Sequence, residues 1–311
     1  MTAVVPSISA IGVASWDESY LVDHFPLEGD YAVVRDAVTG PGGTTSNIAM
    51  TARTLGADVT LIAKFGNDDK AEAIVHGLLE AGIRTDASLR GGSESDHSIV
   101  VVSRATSNRT IIWKPGDQVK RGDRLDIDGL FNADLTVIDC TDYELRKYLV
   151  DLPAHTRPDA RLLGTLTDLA YVVADDKVDV ALRHDVVVGN EREYQQLVGK
   201  PDPTDCLRSI GDRMSGSNLR LAVMTCGSRG SLATIGNESY SAPARPVQPV
   251  DTTGAGAAFA GALAYALALR WDPAKSLGFA NTVASFVVTT LGAQSSLPSL
   301  SQVLDTLGQP S

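Results

Sequence analysis

A run of small residues in the last quarter of the chain predicts an anion-binding site. Asp251-Thr252-Thr253 is followed by Gly254-Ala255-Gly256, and an apolar stretch of helical character begins near Ala257. Residues without bulk let the backbone turn tightly into a helix, whose first N–H groups are free and lie at the positive end of the helix dipole. A transferring phosphoryl group is an anion that such a helix start can bind. Close helix packing also selects small residues, so the run alone does not decide between the two.

Polar residues stand beside apolar or helical runs at three other points. Gly42-Gly43-Thr44-Thr45-Ser46-Asn47 precedes a helical pattern, Asn190-Glu191-Arg192-Glu193 follows an apolar run, and Thr225-Cys226-Gly227-Ser228-Arg229-Gly230 follows another. In an open α/β sheet, ligands bind beyond the carboxyl ends of the strands. From the residues alone, however, Asn47 and Asn190 are equally good helix N-caps, Glu193 completes a capping box, and Asp17 is an exposed loop carboxylate.

Together these motifs resemble those of the ribokinase-like, or PfkB, carbohydrate and nucleoside kinases. Asp251 to Gly256 matches the C-terminal signature of that family, and Gly42 to Asn47 matches the N-terminal signature together with Leu55-Gly56 and Gly66-Asn67-Asp68. The family's Asn-Xaa-Xaa-Glu and Thr-Xaa-Gly-Xaa-Xaa-Gly motifs begin at Asn190 and Thr225, and Gly292-Ala293-Gln294 with Pro298 fits the tail. The motifs occur in family order and cover nearly the whole chain.

The resemblance implies a substrate site and a nucleotide site. Asp17, at the end of the first strand, and Asn47 would bind substrate hydroxyls, because a carboxylate accepts hydrogen bonds and a carboxamide both donates and accepts them. Gly42 and Gly43 would let the substrate approach the backbone closely. The residues implied for ATP are Asn190, Thr225, Gly227, Gly230 and Asn281. The apolar helix that carries Asn281 is explained equally well by core packing.

The resemblance also implies two cation sites. Glu193 would order Mg²⁺ near the ATP phosphates through water, which suits a hard cation that keeps its hydration shell. Asp251 and Thr253, with Ser296 and the loop carbonyls between Thr289 and Gly292, resemble the family's loop for a monovalent cation such as K⁺.

Position 257 departs from the family pattern. The family has an Asp there that takes the proton from the attacking hydroxyl, whereas this chain has Ala257. A positioned general base is worth about 10²- to 10⁴-fold in rate. We therefore expect a protein that binds its ligands and turns over slowly. The alanine was either introduced to inactivate an enzyme or belongs to a natural pseudokinase; we favour the first, because the other motifs are intact.

The activity that the resemblance implies is transfer of the γ-phosphate of MgATP to a hydroxyl of a monosaccharide or related polyol. A nucleoside kinase of the same fold is the alternative, in which Trp16, Tyr31 and Trp113 would form an apolar sandwich for the base. A non-catalytic protein that binds sugar or nucleotide is the alternative from a different class. Arg104, Arg109 and Lys114 would select an acidic sugar or would be solvated strand ends.

The elements that must position these residues follow from periodicity. Apolar runs of strand length recur at 8–14, 59–65, 135–140, 161–166, 185–188 and 219–225, with helical patterns between them. They predict a mostly parallel sheet with helices on both faces. The resemblance implies that this sheet belongs to one ribokinase-like α/β domain over 1–311, in three layers. Half-exposed strands within about 12–40 and 97–114 predict a small antiparallel sheet, either a lid over the cleft or a peripheral hairpin. The resemblance implies a possible homodimer through that lid.

Composition excludes several classes of protein. The 311 residues include 27 basic and 38 acidic ones, giving a formal net charge of −11, so the chain offers no basic surface for nucleic acid. It has no apolar run long enough to span a membrane, and its first residues lack a basic, then apolar secretory signal, so we expect a cytoplasmic protein. Its three cysteines have no spacing typical of a disulfide framework or a zinc site.

Overall fold

A large twisted sheet forms the centre of the computed structural model, which describes residues 4–152 and 161–308. Within those residues the strand order is β14-β13-β12-β11-β10-β9-β1-β4, parallel from β4 to β12 and antiparallel for β13 and β14. The strands are β1 (Ser7–Gly12), β4 (Asp58–Ile62), β9 (Leu135–Asp139), β10 (Leu162–Thr165), β11 (Val186–Asn190), β12 (Leu221–Thr225), β13 (Ser231–Ile235) and β14 (Glu238–Ala242).

Helices cover both faces of this sheet. On one face lie α1 (Thr44–Thr54), α2 (Asp69–Glu80), α8 (Ala255–Ala268), α9 (Pro273–Val287) and α10 (Leu300–Gly308). On the other face lie α3 (Ile127–Phe131), α4 (Tyr143–Asp151), α5 (Lys177–Leu182), α6 (Glu191–Val198) and α7 (Pro203–Gly211). The predicted three-layer α/β architecture is confirmed. Among the described residues, none of the helices is both long and apolar enough to cross a bilayer.

The two helical layers explain why the strands read as continuous apolar runs. Along β11, Val186 and Val188 belong to one core cluster, while Val187 between them belongs to the other. Successive side chains of a strand point to opposite faces, so a strand covered on both sides needs apolar residues at every position. The same alternation places Val137 and Ile138 of β9 in different cores.

A second sheet lies beside the main one. Its order is β3-β2-β7-β8, formed by β2 (Ser15–Val22), β3 (Val34–Gly42), β7 (Asp96–Ser103) and β8 (Arg109–Lys114), while β5 (Lys64–Phe65) and β6 (Leu89–Arg90) pair separately. The outer pairs are antiparallel and the central β2–β7 pair is parallel. Tyr31 is exposed and lies before β3, which begins at Val34. Val100, Val102 and Leu21 pack with Leu291, which fixes the inner face of this sheet against the main body.

Candidate active site

A cavity of about 980 Å³ lies between the two sheets, at the carboxyl ends of β10, β11 and β12 and at the start of α8. Most of the residues singled out in the sequence line it: Asp17, Gly43, Asn47, Asn190, Glu193, Thr225, Gly227, Gly230, Thr253, Gly254, Ala255, Gly256, Ala257 and Asn281. Gly42, Asp251 and Ser296 stand behind the lining. One space therefore holds the residues predicted for substrate, phosphoryl group and nucleotide.

The predicted anion site is the N-terminus of α8. Gly254 is the residue before the helix, with φ +78°, and contributes no side-chain cap. The Ala255 N–H donates to Thr252 O at 3.5 Å, and the first intrahelical bond runs from Ala258 N to Gly254 O. The amides of Gly256 and Ala257 lie between these two and are left for another acceptor. A methyl group on Gly254 would lie 2.5 Å from the Cβ of Ala293, so both the conformation and the close packing require glycine there.

Ala257 lies in the first turn of the same helix and lines the cavity, with 8% of its surface exposed. Its methyl group cannot accept a proton. The position that carries a carboxylate in the resembled family thus faces the ligand space without one.

Asp17 lies at the opposite wall of the cavity, and its place in the fold corrects the sequence assignment. The first strand ends at Gly12, and Asp17 is the third residue of β2 in the second sheet. The chain leaves the main sheet at Val13, whose N–H donates to Thr45 Oγ1 at 2.7 Å. Asp17 Oδ1 accepts from Ser15 Oγ at 2.6 Å. Burial raises the pKa of Asp17, partly offset by hydrogen bonds from Ser15, the Gly43 amide and Ser98.

Gly42 makes room for that carboxylate and does not itself line the cavity. A Cβ at position 42 would lie 2.0 Å from Asp17 Oδ2. Any side chain there would displace Asp17 from the cavity wall, so the glycine acts through its neighbour on the paired strand.

Asn47 lies in α1 and is buried. The N-cap of α1 is Gly43, so the interpretation of Asn47 as a helix cap is wrong. Its backbone N–H donates to Gly43 O at 2.9 Å, as an interior helical residue does. Its side-chain Oδ1 accepts from Gln294 Nε2 at 2.7 Å.

Asn190 and Glu193 form the capping box that the spacing predicts. Glu193 N–H donates to Asn190 Oδ1 at 2.9 Å, and Asn190 N–H donates to Glu193 Oε2 at 2.8 Å. The capping box uses Oε2 of the Glu193 carboxylate, and Glu193 also lines the cavity. Burial, together with the charges of Asp139 and Asp168, raises the pKa of Glu193 to about 7. A buried carboxylate with this surplus of negative neighbours suits a hydrated divalent cation beside it.

The remaining residues predicted for the nucleotide fall into two groups. Thr225 ends β12, and Gly227 and Gly230 shape the turn that follows, so all three border the cavity through backbone or small side chains. Asn281 also lines the cavity, but its amide donates to Ser231 Oγ at 3.0 Å and to Ala242 O at 2.9 Å. Asn281 therefore also joins α9 to β13 and β14.

Asp251 is fully buried and ties two loops together. Its Oδ1 accepts from Thr253 N at 2.8 Å and from Thr253 Oγ1 at 2.5 Å, while Oδ2 accepts from Gly292 N at 2.9 Å. Ser296 Oγ donates to Phe286 O at 2.9 Å at the end of α9. These residues hold the loop before α8 against the segment that follows α9. The oxygens of the buried carboxylate are of the kind that bind a monovalent cation.

Arg109 on β8 also lines the cavity. From the sequence, Arg109 is either a residue that selects an acidic sugar or a solvated strand end. Its Nη1 donates to Thr252 Oγ1 at 3.1 Å, immediately before the anion site. Ser107 Oγ of the β7–β8 turn donates to Pro249 O at 2.8 Å nearby. Arg109 is exposed to solvent overall, but the walls of the cavity partly desolvate its guanidinium, which lowers the pKa of Arg109. The charges of Asp251 and Glu193 oppose this shift. The second sheet thus touches the loop that leads into α8.

A buried acidic network beneath the cavity had no signal in the sequence. Asp139, at the end of β9, accepts from Thr45 Oγ1 at 2.7 Å and from Thr165 Oγ1. Burial first, then the charge of Asp168, raises the pKa of Asp139 to about 6. Arg146, 1% exposed, donates to Thr165 O at 2.8 Å from below. The network links the start of α1 to the floor of the cavity.

Comparison with known proteins decides the family. The profile described as "pfkB family carbohydrate kinase" matches residues 6–300. This chain belongs to the PfkB family of carbohydrate kinases. The chain is 30% identical to a ribokinase of Bacillus subtilis, over 97% of this chain and 99% of that one. It is 27% identical to a deoxyribokinase of Salmonella typhi, over 95% and 96% of the two chains.

A solved structure confirms the ribokinase-like fold of this PfkB family member. Arabidopsis thaliana ribokinase, solved in complex with ribose and ATP, superposes with a TM-score of 0.82 at 21% identity, covering 99% of this chain and 100% of that one. The family resemblance stated from the motifs is confirmed, and so are the mostly parallel sheet with helices on both faces and the small second sheet.

Proposed function

We propose that this PfkB family member transfers the γ-phosphate of MgATP to a hydroxyl of a monosaccharide or related polyol, slowly, because position 257 is alanine. The observation that carries the proposal is that one cavity is lined by Asp17 and Asn47, by the small-residue start of α8 and by the residues predicted for the nucleotide on β11 and β12. Phosphoryl transfer needs these three functions in one place, since catalysis there is mostly positioning and stabilisation of charge.

Each wall of the cavity has a role in this proposal. Asp17 and Asn47 bind substrate hydroxyls, and the amides of Gly256 and Ala257 stabilise the charge on the transferring phosphoryl group. Glu193 holds hydrated Mg²⁺, which when bound would neutralise charge on the ATP phosphates. Arg109 brings a guanidinium from the second sheet to the loop at Thr252, next to where the phosphoryl group would lie.

The cavity lining favours a sugar over a nucleoside. Trp16, Tyr31 and Trp113, the candidates for a base sandwich, do not line the cavity. Trp113 Nε1 donates to Asp96 Oδ1 at 2.9 Å, and Tyr31 is 89% exposed. Phe259, buried in α8, is the one aromatic residue among the lining residues that the structure describes. The named relatives that support the proposal act on ribose and deoxyribose.

Restoring the carboxylate tests the proposal. Ala257→Asp should raise ATP-dependent phosphorylation of D-ribose, 2-deoxy-D-ribose or D-fructose by about 10²- to 10⁴-fold, measured as coupled ADP release. Ala257→Asn is the matched control, because a carboxamide has nearly the shape of a carboxylate but does not accept a proton near neutral pH. It should give no gain in the rate of phosphorylation. Calorimetry of the unaltered chain with the same sugars and adenosine, with a non-hydrolysable ATP analogue present, separates sugar from nucleoside binding.

The proposal fails if Ala257→Asp phosphorylates none of the sugars although one of them binds. In that outcome the chain is a binding protein. Preferred binding and phosphorylation of adenosine would establish the nucleoside alternative instead.

Two further parts of the proposal concern a cation and a partner. We include a monovalent cation near Asp251, Thr253 and Ser296, which predicts faster turnover of the Ala257→Asp variant in K⁺ than in Na⁺. We also include a homodimer through the second sheet, whose outward residue Ile112 is 59% exposed. Sedimentation equilibrium should then show a dimer that Ile112→Lys dissociates.

A further inference from the structure

Gln294 stands behind the substrate wall of the cavity. It does not line the cavity itself, whereas Asn47, to which it is bonded, does. The two residues are 247 positions apart in the chain, and Gln294 Nε2 donates to Asn47 Oδ1 at 2.7 Å. The bond uses the acceptor end of the Asn47 carboxamide, so the Nδ2 end is directed elsewhere. Among the described residues, no protein acceptor takes a hydrogen bond from Nδ2.

The orientation of this carboxamide decides what Asn47 offers a ligand. A carboxamide presents an acceptor at one end and two donors at the other. Asp17, which accepts from the Gly43 amide at the start of α1, lies on the same wall and is an acceptor when ionised. A sugar hydroxyl has one hydrogen to donate and lone pairs to accept with, so it satisfies an acceptor and a donor together but not two acceptors.

The backbone of Asn47 is already fixed without Gln294. Thr51 Oγ1 donates to Asn47 O at 2.8 Å, and α1 packs closely on α8, where a Cβ at Gly261 would lie 2.6 Å from Ile48 O. What remains free in Asn47 is the rotation of its side chain. Gln294 supplies the restraint on that rotation.

Gln294 is itself anchored to the anion site. The preceding Ala293 packs on Gly254, and Gly292 N donates to the buried Asp251 carboxylate at 2.9 Å. Both contacts belong to the loop that leads into α8. A single side chain therefore connects the loop at the phosphoryl site to the carboxamide at the substrate site.

We propose that Gln294 is a positioning residue that locks Asn47 as a hydrogen-bond donor toward the substrate, on the same wall as the acceptor Asp17. The inference rests on the proposed function, because it assigns Asn47 a sugar hydroxyl as its partner. It adds a residue outside the cavity to the determinants of sugar affinity.

A double-mutant cycle measured by calorimetry tests the proposal. Gln294→Met removes the donor with little change in volume, and should weaken binding of the preferred sugar about 2- to 10-fold, the effect of one hydrogen bond. In an Asn47→Ala background the same change should alter sugar affinity less than 2-fold, since no carboxamide is left to orient. Affinity for a non-hydrolysable ATP analogue should stay within 2-fold in every variant. Gln302→Met is the matched control, because Gln302 is an exposed residue of α10 that does not line the cavity and whose side chain accepts from Ser299.

Reversing the polarity sharpens the test. Gln294→Glu offers an acceptor to Asn47, so the carboxamide should rotate, donate to Glu and turn Oδ1 toward the cavity. Sugar affinity should then fall below that of Gln294→Met, because Asn47 and Asp17 are now two acceptors. An equal loss from Gln294→Met in both backgrounds, or sugar affinity unchanged in Gln294→Met and Gln294→Glu, overturns the proposal.

One measurement does not depend on the sugar. In protein labelled with ¹⁵N at asparagine, the Asn47 side-chain amide should give one sharp pair of signals that shifts or broadens in Gln294→Met and not in Gln302→Met. If no sugar binds the unaltered chain, the proposed function fails while this spectrum still decides whether Gln294 orients Asn47. An unchanged Asn47 signal in Gln294→Met refutes the positioning role.

Discussion

Replacing Glu193 with glutamine should stabilise the protein and weaken its metal-dependent nucleotide binding at the same time. Glu193 is 9% exposed, and its Oε2 accepts from the Asn190 N–H at 2.8 Å. Glutamine keeps the shape and can keep that acceptor through its own Oε1. The substitution thus removes a charge from a buried site near two other acids and leaves the capping geometry in place.

The magnitude follows from the pKa. Burial and the charges of Asp139 and Asp168 raise the pKa of Glu193 from 4.5 to about 7. A carboxyl with a raised pKa binds its proton more tightly in the folded state, so stability falls as the pH rises from the unfolded to the folded pKa. At about 1.4 kcal/mol per pKa unit, the ionised side chain costs about 3 kcal/mol at pH 8 and less than about 1 kcal/mol at pH 5. Glu193→Gln removes that cost.

Urea unfolding of the ligand-free protein at pH 5 and pH 8 measures the effect. The gain in unfolding free energy for Glu193→Gln should approach about 3 kcal/mol at pH 8 and shrink below about 1 kcal/mol at pH 5. Glu144→Gln, an exposed partner of Lys147 on α4, should change stability by less than about 0.5 kcal/mol at both pH values. In calorimetry, Mg²⁺ should no longer strengthen binding of an ATP analogue to Glu193→Gln. A gain that is absent at pH 8, or equal at both pH values, contradicts the reasoning.

Three further predictions address the other walls of the cavity. Gly254 has φ +78°, and a methyl group there would lie 2.5 Å from the Cβ of Ala293, so Gly254→Ala should lower stability by about 1–3 kcal/mol in thermal unfolding. Gly256→Ala is the control and should cause no such loss, because a Cβ there meets nothing within 4 Å. Equal losses in the two variants would refute the packing argument. Burial raises the pKa of Asp17, so the loss of sugar affinity on acidification should begin at a pH above the usual range for aspartate. Asp17→Asn should bind sugar weakly at every pH. If sugar binding to that variant still depends on pH, a group other than Asp17 is titrating. Arg109→Gln in the Ala257→Asp background should lower kcat by about 10- to 100-fold. Lys114→Gln in the same background is the control and should leave kcat unchanged, because Lys114 is an exposed partner of Glu94. Similar kcat values in the two variants would show that Arg109 has no role in the reaction.

The parts of the site that the sequence predicts are those defined by neighbouring residues. The capping box of Asn190 and Glu193 needs only a spacing of three, and the turn at Gly254 needs only small residues before a helix. Local motifs of this kind carry their geometry with them, so a spacing in the sequence becomes a distance in the structure. The resemblance to the family adds the expectation that these separate motifs belong to one site.

The parts that the sequence does not predict are pairs that the fold brings together over long separations. Gln294 meets Asn47 across 247 positions, and Arg109 meets Thr252 across 143. Asp17 shows the same limit. Its type suits the substrate, yet its strand belongs to the second sheet, because the chain leaves the main sheet after Gly12 and pairs anew from Ser15. No local pattern records which sheet a short polar strand joins.

Binding and turnover are separable in this architecture. The anion site consists of backbone amides, the substrate wall lies on β2 and α1, and the nucleotide residues lie on β11 and β12. None of these elements depends on a carboxylate at position 257, because Ala257 extends α8 as well as aspartate would and its methyl group fills no role in the cap. Under the proposed function, the chain keeps the geometry that would hold sugar and nucleotide together, while the proton of the attacking hydroxyl would have no acceptor at position 257. Since the backbone of α8 is already in place, one carboxylate at position 257 is enough to test whether only the chemical step is missing.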